Sequence, residues 1–350
     1  MKKNFYLLFL FWVLAVNYLY AQDGDVSSII LNVEGDLPKA EDKSGKLKEK
    51  MSKNARIFLD VLNNAVLDIG TSPVIGNNII TEEAKQEFQT LWENGQFCCE
   101  QVVVNATLVM YSDQGVKDKK ECAYEIEGIP VQMQVEDGEP KALNILFNGQ
   151  GKICGLTFGL NTKMLKNIAD KDDSEIDAVR KKIIRRFLEE FRTAYNRKDM
   201  AFLEKVYSDD ALIIVGRTIQ KKDNQIALTN SDFKGVSKKN VEYLKTSKSV
   251  YLRRLQSVFN TNDYIDVEFD SIEIAKHPNT SKRYENQYCI NLEQSWTSSK
   301  KNGAGYHDDG YLFLLVNFDD LSQPTIQIRT WQDMKDTERE DRITIYNINQ

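Results

Sequence analysis

The chain has 350 residues, which is room for two domains of ordinary size, and 41% of them are hydrophobic, which is enough for buried cores. Its 46 basic and 52 acidic residues give a formal charge of −6, which argues against the basic surface of a nucleic-acid-binding protein. Two histidines and five cysteines exclude multi-histidine metal centres and disulfide-dense scaffolds, so we expect neither a metal nor a cofactor.

Residues 1–21 have the three-part pattern of a secretory signal peptide. Lys2 and Lys3 give a positive start, residues 5–16 form an almost unbroken apolar run, and Ala21 is a small residue before polar chain. We therefore predict cleavage after Ala21 and an exported protein, periplasmic or extracellular. A membrane anchor is the alternative, but the apolar run is shorter than the ~20 residues that a spanning helix needs. No later segment is apolar enough to span a membrane, so no stable span is expected after cleavage.

The cysteine pattern leaves the disulfide question open. The five cysteines are an odd number, so at most two bridges can form, and an adjacent pair cannot bridge internally without strain. They are Cys98, Cys99, Cys122, Cys154 and Cys289. The segments around three of them have strand-like sequences, which favours small buried thiols over disulfides and gives no connectivity.

Periodicity predicts an α+β domain over residues 22–160. Apolar positions spaced near 3.6 residues predict a helix over 44–69, and Thr81 followed by two glutamates begins a second helix that ends at Gly95. The chain then changes to β-branched and aromatic segments separated by turn residues. These predict strands over 98–111, 124–135, 143–147 and 153–158, the last two forming a hairpin.

A polar stretch, residues 161–175, is predicted to join this domain to a second one without packing. An amphipathic helix then begins near Ile176, a short helix follows Asp199, and a buried strand covers 211–215. A helix is expected over 237–259 and four strands over 264–274, 284–296, 310–318 and 325–331. The apolar phase of the first of these strands changes near Asp270, which predicts a bulge. We therefore expect a bent antiparallel sheet that forms a cone around the long N-terminal helix, over residues 176–334, with residues 335–350 as a tail.

Two stretches of the second domain resemble the nuclear transport factor 2-like superfamily, which includes the ketosteroid isomerases. They are FLEEFRTAYNRKD at 187–199, followed by FL at 202–203 and YSDDA at 207–211. GYLFLLV at 310–316 and IRTW at 328–331 are similar to exported members from Bacteroidetes, which the first domain resembles more loosely. The resemblance covers residues 176–334 and implies the cone fold. It leaves activity open, because the superfamily holds isomerases, dehydratases and non-catalytic binding domains.

The isomerase site can be compared residue by residue with this sequence. The resemblance puts Phe191 where the isomerases have an oxyanion-binding tyrosine, and Val215 where they have the general-base aspartate. Neither side chain can donate or take a proton, so isomerase chemistry of that kind is not expected and no catalytic residue is assigned. His307, between Tyr306 and Asp308-Asp309, offers an acid–base pair or half a metal site, but we interpret this segment as a turn.

Two functions remain open after this comparison. The first is a non-catalytic envelope protein whose cone binds a small apolar ligand or a protein partner. The second is a small-molecule isomerase, lyase or hydrolase with a non-standard site in the cone. Aromatic side chains on the helix and on the sheet face are the candidates for the cavity lining, although rings at these spacings are also typical of a core. They are Phe191, Tyr195, Tyr207, Tyr288, Trp296 and Trp331.

Overall fold

The computed structural model describes residues 29–67, 72–110, 121–134, 140–218, 241–300, 303 and 305–347. The predicted signal peptide lies outside the described residues, and its assignment stays a prediction. The chain forms two compact units that divide between Leu156 and Thr157. Each unit contains helices and a six-stranded sheet, which confirms the predicted α+β class. Among the described helices, none is long and apolar enough to cross a membrane.

Unit 1 combines two helices with a sheet of strand order β1-β3-β4-β5-β6, in which β2 pairs with β4. β1 lies parallel to β3, whereas β3–β4 and β4–β5 are antiparallel. Both predicted helices are present, and the side chain of Thr81 accepts a hydrogen bond from the backbone N of Ala84 at the start of the second. The elements are β1 (Ile30–Glu34), α1 (Lys46–Leu67), α2 (Glu82–Asn94), β2 (Phe97–Cys98), β3 (Val103–Met110), β4 (Cys122–Met133), β5 (Lys141–Asn148) and β6 (Ile153–Phe158).

The strand predicted over 98–111 is two strands with a gap between them. In the gap, the side chain of Asn63 on α1 accepts from the backbone N of Cys99 at 2.9 Å and donates to its carbonyl oxygen at 2.8 Å. One amide from a helix therefore replaces the strand partner at this residue, which no local pattern indicates. The short strand β1 was also not predicted, because it has five residues and Ile30 is exposed.

A disulfide joins Cys122 on β4 to Cys154 on β6, with the two Cα atoms 5.9 Å apart. The expectation of buried thiols is wrong for this pair, because the sheet brings the two strands together across 32 residues of sequence. The other three cysteines are buried and free. Burial raises the pKa of Cys98 and of Cys289 to about 11, so neither thiol is a reactive thiolate near neutral pH.

In the described part of unit 2, four helices pack against one face of the sheet. The helices are α3 (Thr162–Ala169), α4 (Ala178–Asn196), α5 (Met200–Val206) and α6 (Lys248–Thr261), and the strands are β7 (Tyr207–Thr218), β8 (Val241–Thr246), β9 (Tyr264–Lys276), β10 (Gln287–Ser299), β11 (Tyr306–Asn317) and β12 (Thr325–Asp333). The strand order is β8-β7-β12-β11-β10-β9. The prediction of an antiparallel sheet is corrected in one place, since β7 and β12 are parallel. These strands are far apart in sequence, so no tight turn constrains their direction.

The bulge predicted near Asp270 is confirmed. Leu292 pairs with Ile272, but Glu293 pairs with Asp270, which leaves Ser271 unpaired with a φ of 48°. Because one extra residue shifts the phase, apolar side chains on both sides of Ser271 face the same core. A bulge at this position bends and twists the strand locally.

Two predictions for unit 2 are corrected, one for the polar linker and one for the helix at 237–259. In the stretch predicted to be a polar linker, Asn161 caps α3, and Met164 and Ile168 are buried in the core beside Leu160. The linker interpretation is wrong for these residues, because two apolar side chains four apart suffice to bury one helix face. The helix predicted over 237–259 is also corrected, since β8 covers its first described residues and α6 begins only at Lys248.

The sheet of unit 2 has a core on each face. The inner face carries Leu312 and Leu314 among the helices, and the outer face carries Phe313 and Leu315. Residues 335–347, expected to be a tail, cover the outer face with Ile343 and Ile345, and this corrects the predicted boundary at 334.

One glutamine holds this C-terminal segment. The backbone N of Ile343 donates to Oε1 of Gln332 at 2.5 Å, and Nε2 of Gln332 donates to the carbonyl oxygen of Asp341 at 3.0 Å. The same Nε2 lies 2.7 Å from the hydroxyl oxygen of Tyr243.

Candidate functional site

Four of the six predicted lining residues lie together inside unit 2. Phe191 and Tyr195 stand one turn apart on α4, with ring centroids 5.2 Å apart. The ring of Tyr207, at the start of β7, lies 6.2 Å from Phe191, and Trp296 on β10 lies 6.0 Å from Tyr195. The helix period and the strand alternation both direct these rings toward the inner face.

The other two predicted residues lie apart from this group. Tyr288 is buried against Phe318 at a centroid distance of 5.6 Å. Trp331 on β12 is half-buried and rests on Gly310 of β11, where a Cβ atom would lie only 2.4 Å from the indole. A glycine is therefore required under this indole, because any larger residue would displace it.

Three tyrosine hydroxyls meet at the centre of the group. The hydroxyl of Tyr195 lies 3.0 Å from that of Tyr207 and 2.7 Å from that of Tyr251 on α6. Tyr195 is thus the shared partner of the other two. Burial, followed by the effect of the neighbouring tyrosines, raises the pKa of Tyr195 and of Tyr207 well above the ordinary value. Both are therefore neutral phenols near neutral pH.

An arginine completes the group. The guanidinium of Arg329 on β12 lies over the ring of Tyr251, 5.1 Å from its centroid, and Tyr195 is among the groups that interact with it. Only 6% of this residue is exposed, and its Nε is buried without a hydrogen-bond partner. No carboxylate of the described residues forms an ion pair with it. We call Tyr195, Tyr207, Tyr251 and Arg329 the tyrosine–arginine cluster.

Sequence reasoning missed two members of this cluster. Tyr251 falls within the helix expected over 237–259, and Arg329 falls within the stretch IRTW at 328–331, but neither is among the predicted lining residues. A signal for Arg329 was present, since strand alternation puts it on the same face as Trp331, and a basic residue among the apolar positions of a buried strand is rare.

The segment 306–309, interpreted as a turn, is instead the first part of β11. The phenol of Tyr306 donates to Asp308 at 2.8 Å, and Asp308 lies opposite Trp296 in the sheet register. Burial and the neighbouring Asp333 raise the pKa of Asp308, while the hydrogen bond from Tyr306 lowers it. This carboxylate therefore stands on the inner face at the Trp296 end.

The side chain of His307 points to the other face, as the alternation of a strand requires. Its Nε2 lies 3.2 Å from Asp309 and its Nδ1 lies 3.0 Å from the hydroxyl of Thr297. The histidine is 57% exposed. Among the described residues, no group of three or more His, Cys, Asp or Glu side chains could hold a metal ion.

A pocket of about 320 Å³ opens on the outer face, between the sheet and the C-terminal segment. Its lining includes Glu293, Tyr311 and Arg342. These groups interact with one another, since Arg342 lies over the Tyr311 ring at 3.6 Å and 3.9 Å from Glu293. The pocket is therefore less suited to recognising a charged ligand than the tyrosine–arginine cluster.

The cluster offers hydrogen-bonding groups, but its described residues include no carboxylate or histidine that could act as a general base. The phenols donate and accept hydrogen bonds, and the guanidinium donates only. Phe191 and Val215, which the resemblance puts at the positions of the isomerase donor and base, have no proton to exchange. Among the described residues, no carboxylate or histidine hydrogen-bonds to the three tyrosines or to Arg329.

None of the protein-family models compared with the chain matches it, and none of the curated proteins matches it either. Solved structures are similar to part of it. An NTF2-like protein of unknown function from Pseudomonas putida shares 14% identity over 44% of this chain and 89% of its own, with a TM-score of 0.29. A ketosteroid isomerase-like protein from Erwinia carotovora atroseptica shares 16% over 44% and 95%, with a TM-score of 0.27. A conserved protein from Planctomyces limnophilus shares 11% over 43% and 95%, with a TM-score of 0.30.

Proposed function

We propose that unit 2 is a nuclear transport factor 2-like domain in which a bent sheet and the long helix α4 form a cone. The stretch at 187–211 that resembles this superfamily forms α4, α5 and the start of β7 in that order. The bulge at Ser271 bends β9 locally, and helical side chains cover the inner face of the sheet. The likeness to exported proteins of Bacteroidetes is part of the same proposal.

The protein is exported and acts outside the cytoplasm. The support is the charge and hydropathy pattern of residues 1–21. Intact-mass measurement of material recovered from the native envelope tests this proposal and is expected to give a mature N-terminus at Gln22. Recovery of protein that keeps residues 1–21 would contradict it.

The function that the geometry supports best is non-catalytic binding of a small molecule by the inner face of unit 2. The observation that carries it is the tyrosine–arginine cluster, because a buried arginine without an acidic partner beside three phenols is a recognition element. Trp296 is half-buried, its ring lies 6.0 Å from that of Tyr195, and it offers apolar contact to the rest of a ligand. Binding of a protein partner on the outer sheet face is less favoured, since residues 335–347 cover that face.

An enzyme with a non-standard site remains the alternative. Asp308 is the group on which it would depend, since it is the inner-face carboxylate whose pKa is raised. Asp308 lies opposite Trp296 and makes no described hydrogen bond to the three tyrosines of the cluster. Its carboxylate already accepts a hydrogen bond from the phenol of Tyr306. Binding without catalysis is therefore the simpler proposal.

Calorimetric titration of the mature chain with small aromatic probes tests the binding proposal. Indole, benzyl alcohol and phenylacetate are suitable, because each combines a ring with a different polar group. We expect at least one to bind, and we expect Trp296→Leu to weaken that binding at least ~10-fold through lost apolar contact. Tyr346→Leu, which changes an exposed aromatic residue of the same unit, is the control and should bind as the unchanged chain does. If no probe binds at millimolar concentration, the proposal fails.

A further inference from the structure

Among the residues of unit 2 whose burial the structure describes, three arginines are more than nine-tenths buried, and they differ in their partners. Arg192 pairs with Glu268 at 2.6 Å and donates to the carbonyl oxygen of Gly159 at 2.9 Å. Arg197 pairs with Glu190 and Asp199. Arg329 alone, of the three, has no acidic partner among the described residues. A buried guanidinium stays charged at any physiological pH, so an unpaired one is costly to the fold.

The surroundings of Arg329 do not neutralise its charge. Tyr195, Tyr207 and Tyr251 are the groups that interact with it, and burial keeps the phenols of Tyr195 and Tyr207 protonated. The ring of Tyr251 offers its electron-rich face, which attracts a cation but carries no net charge. The guanidinium hydrogen-bonds to the neutral phenol of Tyr195, and its Nε atom, like that of Arg192, is left without a hydrogen-bond partner. Among the described residues, no negative charge therefore compensates that of Arg329.

From this we infer that the ligand of unit 2 carries a carboxylate, which binds to the guanidinium of Arg329 with help from a tyrosine hydroxyl. This inference rests on the proposed binding function and names the class of its ligand.

A carboxylate suits the site in geometry and in charge. Its two oxygens match the planar donor fork of a guanidinium, and a phenol can donate to the same oxygens. A single positive charge matches a singly charged carboxylate better than a doubly charged phosphate monoester. The half-buried ring of Trp296, beside Tyr195, suits an apolar remainder, so the ligand class is a small aromatic or aliphatic monocarboxylate.

The test compares the binding of two aromatic probes that differ in charge and of one anion that has no apolar part. Phenylacetate and phenylacetamide have the same shape, and inorganic phosphate serves as the anion without an apolar part. The proteins are the mature chain, Arg329→Met and the control Arg254→Met, which changes an exposed arginine on α6. We expect the unchanged chain to prefer phenylacetate to the amide ~10–100-fold, as charge-assisted hydrogen bonds imply. Arg329→Met should lose this preference and keep weak amide binding, whereas Arg254→Met should change neither.

Urea unfolding without any probe distinguishes recognition from a structural role. If Arg329 serves to bind a ligand, its charge is uncompensated in the ligand-free protein. Arg329→Met then removes that charge, and the urea midpoint of unfolding should stay the same or rise. A clear fall in the midpoint would show that the arginine is already satisfied by the protein and would overturn the inference.

The titrations also distinguish this inference from the proposed function. Equal binding of phenylacetate and phenylacetamide, unchanged in Arg329→Met, would overturn the inference while small-molecule binding stands. Tighter binding of phosphate than of phenylacetate would also overturn it. Failure of every aromatic probe to bind would refute the binding function itself.

Discussion

Replacing Tyr195 with phenylalanine tests whether the three hydroxyls form one connected group. The ring and its packing remain, and only the shared hydroxyl is lost. Tyr207 is 1% exposed, so its hydroxyl would keep no partner and no water, which costs about 1–3 kcal/mol. Tyr251 is half-buried and can reach water, so losing its bond costs roughly 0.5–1 kcal/mol more. We expect Tyr195→Phe to lower the free energy of unfolding by about 1.5–4 kcal/mol.

Tyr207→Phe is the matched control, because it removes an outer member of the same group. Tyr195 then keeps its 2.7 Å bond to Tyr251, so the expected loss is only about 0.5–1.5 kcal/mol. In the double variant the unpartnered hydroxyl of Tyr207 is gone, and the loss should be no larger than for Tyr195→Phe alone.

The measurement is urea unfolding of the mature chain, followed by tryptophan fluorescence. Trp296 reports directly on this region, since its ring lies 6.0 Å from that of Tyr195. Equal losses for the two single variants, with a double variant equal to their sum, would refute the idea of a shared hydroxyl.

Three further predictions follow from the packing of each unit. Tyr207→Ala should lower the free energy of unfolding by about 3–5 kcal/mol, because its ring lies in the core. Trp296→Ala should lower it distinctly less, because that ring is half-exposed, and equal urea midpoints for the two variants would contradict this prediction. The disulfide of unit 1 closes a loop across 32 residues, so its reduction should lower the free energy of unfolding of unit 1 by about 4 kcal/mol. The melting temperature of unit 1 should fall, and that of unit 2 should not change. A fragment of residues 157–350 should unfold cooperatively. A fragment of residues 176–350 should be less stable by roughly 5 kcal/mol, because it lacks three buried apolar side chains of the core. Equal calorimetric transitions for the two fragments would contradict this prediction.

Elements with a strong local signal could be predicted from the sequence. α1 has a long apolar stripe, α2 and α5 begin at capping residues, and the bulge at Ser271 leaves a change of phase in the strand pattern. In each of these, residues close in sequence determine the structure, so one sequence contains the information.

Elements that depend on distant residues could not be predicted. α3 has only two buried side chains, Met164 and Ile168, and the core that covers them comes from other helices and strands. β8 has the periodicity of a helix start and becomes a strand by pairing with β7. The apolar residues of the C-terminal segment, Ile343 and Ile345, find their partners on the outer face of the sheet.

The candidate site shows the same division. Phe191 and Tyr195 follow from the helix period, and Trp296 follows from strand alternation. The contact between Tyr195 and Tyr251 joins residues 56 apart in sequence, and Arg329 comes from the last strand. Aromatic residues could thus be placed on the inner face from sequence, but the meeting of their hydroxyls with a cation depends on how α4, α6 and β12 pack.

Gln332 has a consequence for how the end of the chain finds its position. A side-chain amide offers the same two groups as a peptide bond, one N–H donor and one C=O acceptor. The Gln332 side chain accepts a hydrogen bond from the backbone N–H of Ile343 and donates one to the carbonyl oxygen of Asp341. The C-terminal segment therefore makes with this amide the two hydrogen bonds that it would make with the backbone of a neighbouring strand. Two paired strands could shift by two residues and form the same number of backbone hydrogen bonds in the new register. A single amide cannot, because every other alignment leaves it without its partners, so one side chain outside the segment determines the register of the segment.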